Sequence, residues 1–258
     1  MSLIFNYMSM HFRVKMQYKI SFLLTFITQL LVVGVELFVL RNIFSKFSLL
    51  DRYNIYELYF NFCIIWFGHS AAQTIGRGFD KFSNLVVDGS FDLLLIRPRN
   101  IYIQIIGSDM FYEKISRVIS TFILLIYSFF KITVNISLFK VFVLLLIIIG
   151  SIMMVLSVFI IGAAVSFYTI QGIEFINIFT DGTKQLGQYP MGIFNGIVRG
   201  IFTFIIPLTL INYYPMKYLT GETCNYMYGL LPIFAILFII PAVLIFNTGL
   251  KKYKSSGS

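Results

Sequence analysis

Charge is scarce in this chain. Only 12% of its 258 residues are Asp, Glu, Lys or Arg, about half the share usual in soluble domains. That scarcity excludes an ordinary soluble surface. With 58% hydrophobic residues and a mean hydropathy of +0.85, it implies an integral membrane protein. Acidic groups are the scarcest, 11 against 20 basic ones, for a net charge of +9. The basic residues flank apolar runs instead of forming one face, which argues against a nucleic-acid partner and for membrane lipids, anionic ones in particular. The two cysteines exclude a disulfide framework: Cys63 falls in an apolar run and Cys224 in a polar loop on the other side, so neither a disulfide nor a metal site is expected. No HExxH, CxxC or GxxxxGK[ST] pattern occurs, and the two histidines, His11 and His69, lie far apart. The chain is therefore not expected to be an enzyme or to bind a cofactor itself, and any ATP-driven role requires another chain to hydrolyse the nucleotide. Gly68-His69-Ser70-Ala71-Ala72 ends in Ala where a nucleophile elbow needs Gly, and reads as a small-residue helix-packing patch. Asn135-Ile136-Ser137 fits a glycosylation sequon in a short loop.

What the chain has in abundance is apolar length and aromatic residues, with 29 Phe and 16 Tyr, as interfacial belts require. Six stretches approach the length that crosses about 30 Å of hydrocarbon: residues 20–43, 55–72, 111–132, 138–167, 194–211 and 230–250. The expected fold class is an all-α membrane protein of six transmembrane helices. The fourth stretch exceeds one span, and the fifth, which contains Arg199 and Pro207, is open to a break. The first run is too long for the apolar core of a cleavable signal.

With the N-terminus inside, fourteen Lys and Arg fall in inner segments and six in outer ones, which favours both termini in the cytoplasm. In residues 1–19, Phe5, Met8, Phe12 and Met16 share one helical face and Asn6, Ser9, Arg13 and Gln17 another. This is the pattern of an interfacial helix, or else of a frayed terminus with chance periodicity. Residues 20–250 form a single transmembrane domain and 251–258 a tail. Its final Ser255-Ser256-Gly257-Ser258 reads as flexible or as a fusion remnant. No internal repeat is evident, so the inverted repeats of many secondary transporters are not expected.

Charges within spans are costly and mark functional candidates. Glu36 sits in the first span. It is either a substrate or gating contact, or one half of a structural ion pair with Arg52 or a residue of another span. Arg199 either lines a cytoplasmic-side cavity or snorkels to the inner interface.

Residues 73–117 differ in kind. They carry Arg77, Asp80, Lys81, Asp88, Asp92, Arg97, Arg99, Asp109, Glu113, Lys114 and Arg117, a mixed-sign cytoplasmic surface. Phe79, Phe82, Leu85 and Val86 fit one helical face. Ser90 is expected to cap a second short helix that Pro98 ends. Two short amphipathic helices joined at Asp88-Gly89 suit docking into a groove of a soluble partner. A solvated loop resting on lipid is the alternative. The docking helix is either 80–87 or 90–96.

Gly89-Ser90-Phe91-Asp92-Leu93-Leu94-Leu95-Ile96-Arg97-Pro98 resembles the G-x-[LF]-D-x-[LY]-L-[LI]-[KR]-P signature of a group of bacterial ABC-2 type permeases. Gln188-Tyr189-Pro190-Met191-Gly192-Ile193-Phe194, Arg199, Ile206-Pro207 and Tyr213-Tyr214-Pro215 follow in the order of that group's second block. Arg99 and Asn100 depart from the small or apolar residues usual after the proline. The resemblance covers nearly the whole chain. It implies a permease subunit of an ATP-binding cassette exporter, with an interfacial N-terminal helix and a cytoplasmic coupling helix between spans two and three. It also implies a second permease chain, identical or homologous, and separate ATPase subunits that hold ATP and Mg. It places the protein in the bacterial plasma membrane. Carried onto this chain, the ATPase-coupling role falls on Arg77, Phe79, Asp80, Phe82, Gly89, Phe91, Asp92, Leu95, Arg97 and Pro98, and Glu36 and Arg199 are candidates for the translocation path. The loop 212–228 corresponds to a region where such permeases fold short re-entrant helices. An amphipathic cargo such as a peptide, drug or lipid is expected. The rival readings are an ion-coupled secondary transporter using Glu36, and a non-transporting immunity or assembly factor.

Overall fold

The computed structural model describes residues 3–46, 53–133, 135–169 and 172–253. Arg52 and the tail from 254 onward lie outside them. All regular structure among the described residues is helical. Two helices come first, α1 (Leu3–Gln17) and α2 (Lys19–Lys46). The next, α3 (Ile55–Asp80), starts with a reciprocal cap: Asn54 Oδ1 accepts from the Tyr56 N–H at 3.1 Å, and the Asn54 N–H donates to Glu57 Oε2 at 3.1 Å. Two orphan donors are thereby satisfied at the helix start.

Three short helices follow: α4 (Phe82–Val87), α5 (Ser90–Leu95) and α6 (Ile101–Ser108). A 3-10 turn at Tyr112–Lys114 leads into α7 (Ile115–Ile132). Then come α8 (Leu138–Val165), α9 (Gly172–Gly187), α10 (Gly196–Phe204), α11 (Thr209–Asn212), α12 (Tyr214–Leu219), α13 (Tyr226–Leu230), α14 (Pro232–Leu237) and α15 (Ile239–Lys252).

Four segments are long and apolar enough to cross a membrane: Lys19–Lys46, Tyr112–Ile132, Leu138–Val165 and Tyr226–Lys252. They cover the expected first, third, fourth and sixth stretches. The expected second stretch lies within α3, which is long enough but carries Glu57, Asn61, His69 and Gln73. These polar groups are tolerable because α3 is the buried centre of the bundle, packed mainly on α7 and α8. Without a hydrophobic drive between helices in lipid, close approach and polar bonds hold such contacts. At Gly68 the approach is tight: a Cβ there would lie 2.7 Å from Ser151 Cβ and 2.8 Å from the Ser151 backbone. The Asn61 side-chain amide donates to Gly187 O at 2.9 Å, and Trp66 Nε1 donates to Gln188 Oε1 at 3.2 Å.

The fifth stretch, 194–211, is not one straight helix. α10 and the α11–α12 segment meet at 91° across a short break, where Pro207 supplies no N–H and disfavours helix in the residue before it. α9 packs on both α8 and α3, and hydropathy missed it because Thr180, Asp181, Thr183, Lys184 and Gln185 dilute it. Cys63 is buried and Cys224 exposed, and both are free.

Candidate functional site

At one end of the bundle α4 and α5 form a compact projection. Gly89 makes the turn between them with φ 69°, a left-handed conformation that glycine adopts without steric cost. The inward faces are aromatic. Phe82 and Phe91 are fully buried and meet edge to face at 4.8 Å. Both contact Phe167 just beyond α8, at 5.2 and 5.7 Å, while Phe82 meets Phe246 of α15 at 5.5 Å and Phe91 meets Tyr253 at 5.1 Å. Each edge-to-face pair contributes about 0.5–1.5 kcal/mol beyond its area.

Polar bonds fix the rest. Tyr253 Oη donates to Asp92 Oδ1 at 3.0 Å. Gln104 Nε2 donates to Leu94 O and Arg99 O, each at 3.1 Å, closing the exit from α5. Ser90 does not cap α5. It is the helix's first residue, after Gly89, and its hydroxyl donates back to Leu85 O at 3.3 Å; an αL glycine already makes the turn, so the serine is free to tie α5 to α4.

The structure divides the sequence-predicted set. Phe79, Phe82 and Phe91 are buried scaffold. Arg77 Nε pairs with Asp109 Oδ2 at 2.9 Å and its guanidinium lies 3.9 Å over Phe111, so it braces the connector into α7. Asp80 sits where burial pushes its carboxyl above the usual range, against the pull of Lys114 and Arg77. Leu95, Arg97 and Pro98 are exposed. So are Val87, Leu93 and Ile96, the last at 78%; together they make the outward face.

α1 packs beside this end. Lys15 pairs with Glu113 at 2.8 Å, His11 Nε2 bonds Gly107 O at 2.8 Å, and Tyr112 Oη donates to Met8 O at 3.0 Å. Phe5, Met8 and Phe12, three of the four expected apolar positions, are exposed.

Glu36 and Arg199 lie in different surroundings. Half-buried Glu36 acts electrostatically on Arg117 of α7 and Lys184 of α9. Arg199 is at the end opposite α4–α5, so it neither lines a cavity at the α4–α5 end nor snorkels there. It donates to the carbonyls of Met191, Gly192 and Phe194 at 3.3, 3.3 and 3.0 Å and lies 5.0 Å over Tyr213. The turn at Met191–Ile193 and its exit present these carbonyls to it, and the Met191 carbonyl also accepts from the Phe194 N–H. A crevice of about 10 Å³, lined by His69, Thr180, Thr183 and Lys184 among others, has room for about one water.

Apolar helices, a buried polar central helix and aromatic residues at both ends define a multi-pass membrane protein. The chain belongs to the ABC-2 family transporter proteins, whose family model matches residues 30–257, so it is a transmembrane transporter subunit of a family that implies ATPase partners in general. No curated protein and no solved structure matches it.

Proposed function

We propose that the chain is the permease subunit of an ATP-driven exporter, enclosing a path with a second, identical or homologous permease and driven by separate ATPase subunits that hold ATP and Mg. The α4–α5 projection carries this reading. Its inner face is clamped to α8 and α15, and its outer face offers Val87, Leu93 and Ile96 beside Arg97 and Arg99. An apolar helix face rimmed by charge suits the groove of a soluble partner. Six crossings follow if α3 and α9 join the four long apolar segments. The projection and both termini then face the cytoplasm of a bacterial cell, and α10–α12 dip into the outer side. Nucleotide-driven closure of the partner shifts the permease between two arrangements.

The test is co-purification with the ATPase. Leu93→Glu and Ile96→Glu should release it while the permease stays monodisperse in the membrane fraction. Undiminished co-purification in the doubly substituted chain refutes docking through this face.

A further inference from the structure

Among the described residues, Arg117 is a buried charge with an unsatisfied nitrogen. It is 6% exposed, and its Nε is buried with no hydrogen-bond partner. Its guanidinium lies 4.7 Å from the Trp66 ring, and Lys184 Nζ lies 3.9 Å from the same ring. Neither cation has an acidic group within ion-pairing distance among the described residues. Glu36 reaches both from further off, and exposed Asp181 reaches Lys184 alone. Lys114, the next cation, is served by Gln73 and Asp80. Burying an ion costs several kcal/mol even after relaxation, and a cation–π contact returns only about 0.5–2 kcal/mol. Among the described residues the two cations have only the more distant Glu36 in common, with Asp181 beside Lys184, and are therefore short of close negative charge.

The surroundings define what supplies it. α7 packs on α3, and α9 packs on α8 and α3, which brings Arg117 and Lys184 together against Trp66 of α3. Neighbouring α2 is apolar and buries only Val33 and Leu40. An anion reaching Arg117 between apolar helices is favoured if it carries its own apolar tail. We propose that this cation pair binds the anionic oxyacid head, phosphate or carboxylate, of a tailed amphiphile. As the cargo class of the transporter, this rests on the permease reading.

Trp66 is the only tryptophan, so its emission reports on the two cations beside it. The full chain in neutral maltoside micelles is titrated with dodecyl phosphate, uncharged dodecylglycerol, inorganic phosphate and phosphatidylglycerol. A saturable change with dodecyl phosphate is expected, with a midpoint at least about tenfold higher in Arg117→Gln and Lys184→Gln, as loss of one charge-assisted bond implies. Lys184→Arg should keep the wild-type midpoint and excludes misfolding as the cause. An equal response to phosphatidylglycerol assigns the site to bilayer lipid, and a response to the single-chain phosphate alone assigns it to cargo; either supports an anion site. An identical response to dodecylglycerol, or unchanged midpoints in both Gln variants, overturns it. No ATPase takes part, so failure here is distinct from failure of docking.

Discussion

Tyr253 and Asp92 are 161 positions apart in the chain, yet the tyrosine hydroxyl donates to the aspartate at 3.0 Å. This bond ties the residue after α15 to the middle of α5. Tyr253→Phe keeps the ring against Phe91 and Phe167 and removes only the bond. The expected loss is about 1.5–3 kcal/mol for a hydrogen bond to a charged group, read as faster amide exchange across Phe91–Leu95 with the rest of the chain unchanged.

The same bond responds to alkali. Burial first, then the bond to Asp92 and its negative charge, raise the Tyr253 hydroxyl above its ordinary value of 10.0. A group whose pKa is raised on folding contributes stability that is complete below the unfolded value and is lost as pH climbs through the folded one. Protection of α5 should hold steady up to about pH 10 and fall above it, and Tyr253→Phe should abolish that fall. A wild-type profile flat to higher pH contradicts the assignment.

Phe91 and Leu95 sit four residues apart in the same signature with opposite exposure. Phe91→Ala empties a site between Phe82, Phe167 and Tyr253, for an expected loss of about 3–5 kcal/mol. Leu95→Ala, on the exposed side, should stay within about 0.5 kcal/mol. Thermal unfolding of both variants in one detergent measures the contrast.

Gly68 and Gly34 make a second contrast. Gly68→Val drives its side chain into the Ser151 backbone, 2.8 Å from where the Cβ would stand, and overpacking of this kind costs about 1–3 kcal/mol. Gly34 has nothing within 4 Å of the corresponding position, so Gly34→Val should leave the melting temperature unchanged. Equal effects would show that the α3–α8 contact is looser than described.

Hydropathy found the helices whose surroundings are apolar, because α2, α7, α8 and the α13–α15 segment owe their sequence to lipid or to apolar neighbours. It could not find α9, which packs on α8 and, through Asn61 and Trp66, on the polar face of α3. The Asp88-Gly89 turn was legible from a glycine between two short amphipathic runs. The division of Phe91 from Leu95 was not, since a six-residue helix is too short for periodicity to show which face meets α8. The seat of Arg199 was not legible, because it depends on three carbonyls at a turn that no spacing rule records. Arg117 and Lys184 read in sequence as ordinary basic residues flanking spans, and only the fold brings them to one tryptophan.

Gly76 breaks the helical geometry of α3 at φ −109° and ψ 21°, a few residues above the projection. Mechanically it is a fulcrum with a clamped arm. The aromatic residues that seat α4 and α5 also grip the ends of α8 and α15, so the arm cannot swing by itself. A push on the projection must turn three helices together or tear Phe82 and Phe91 from their seats. Force applied at one corner is thereby shared across the bundle.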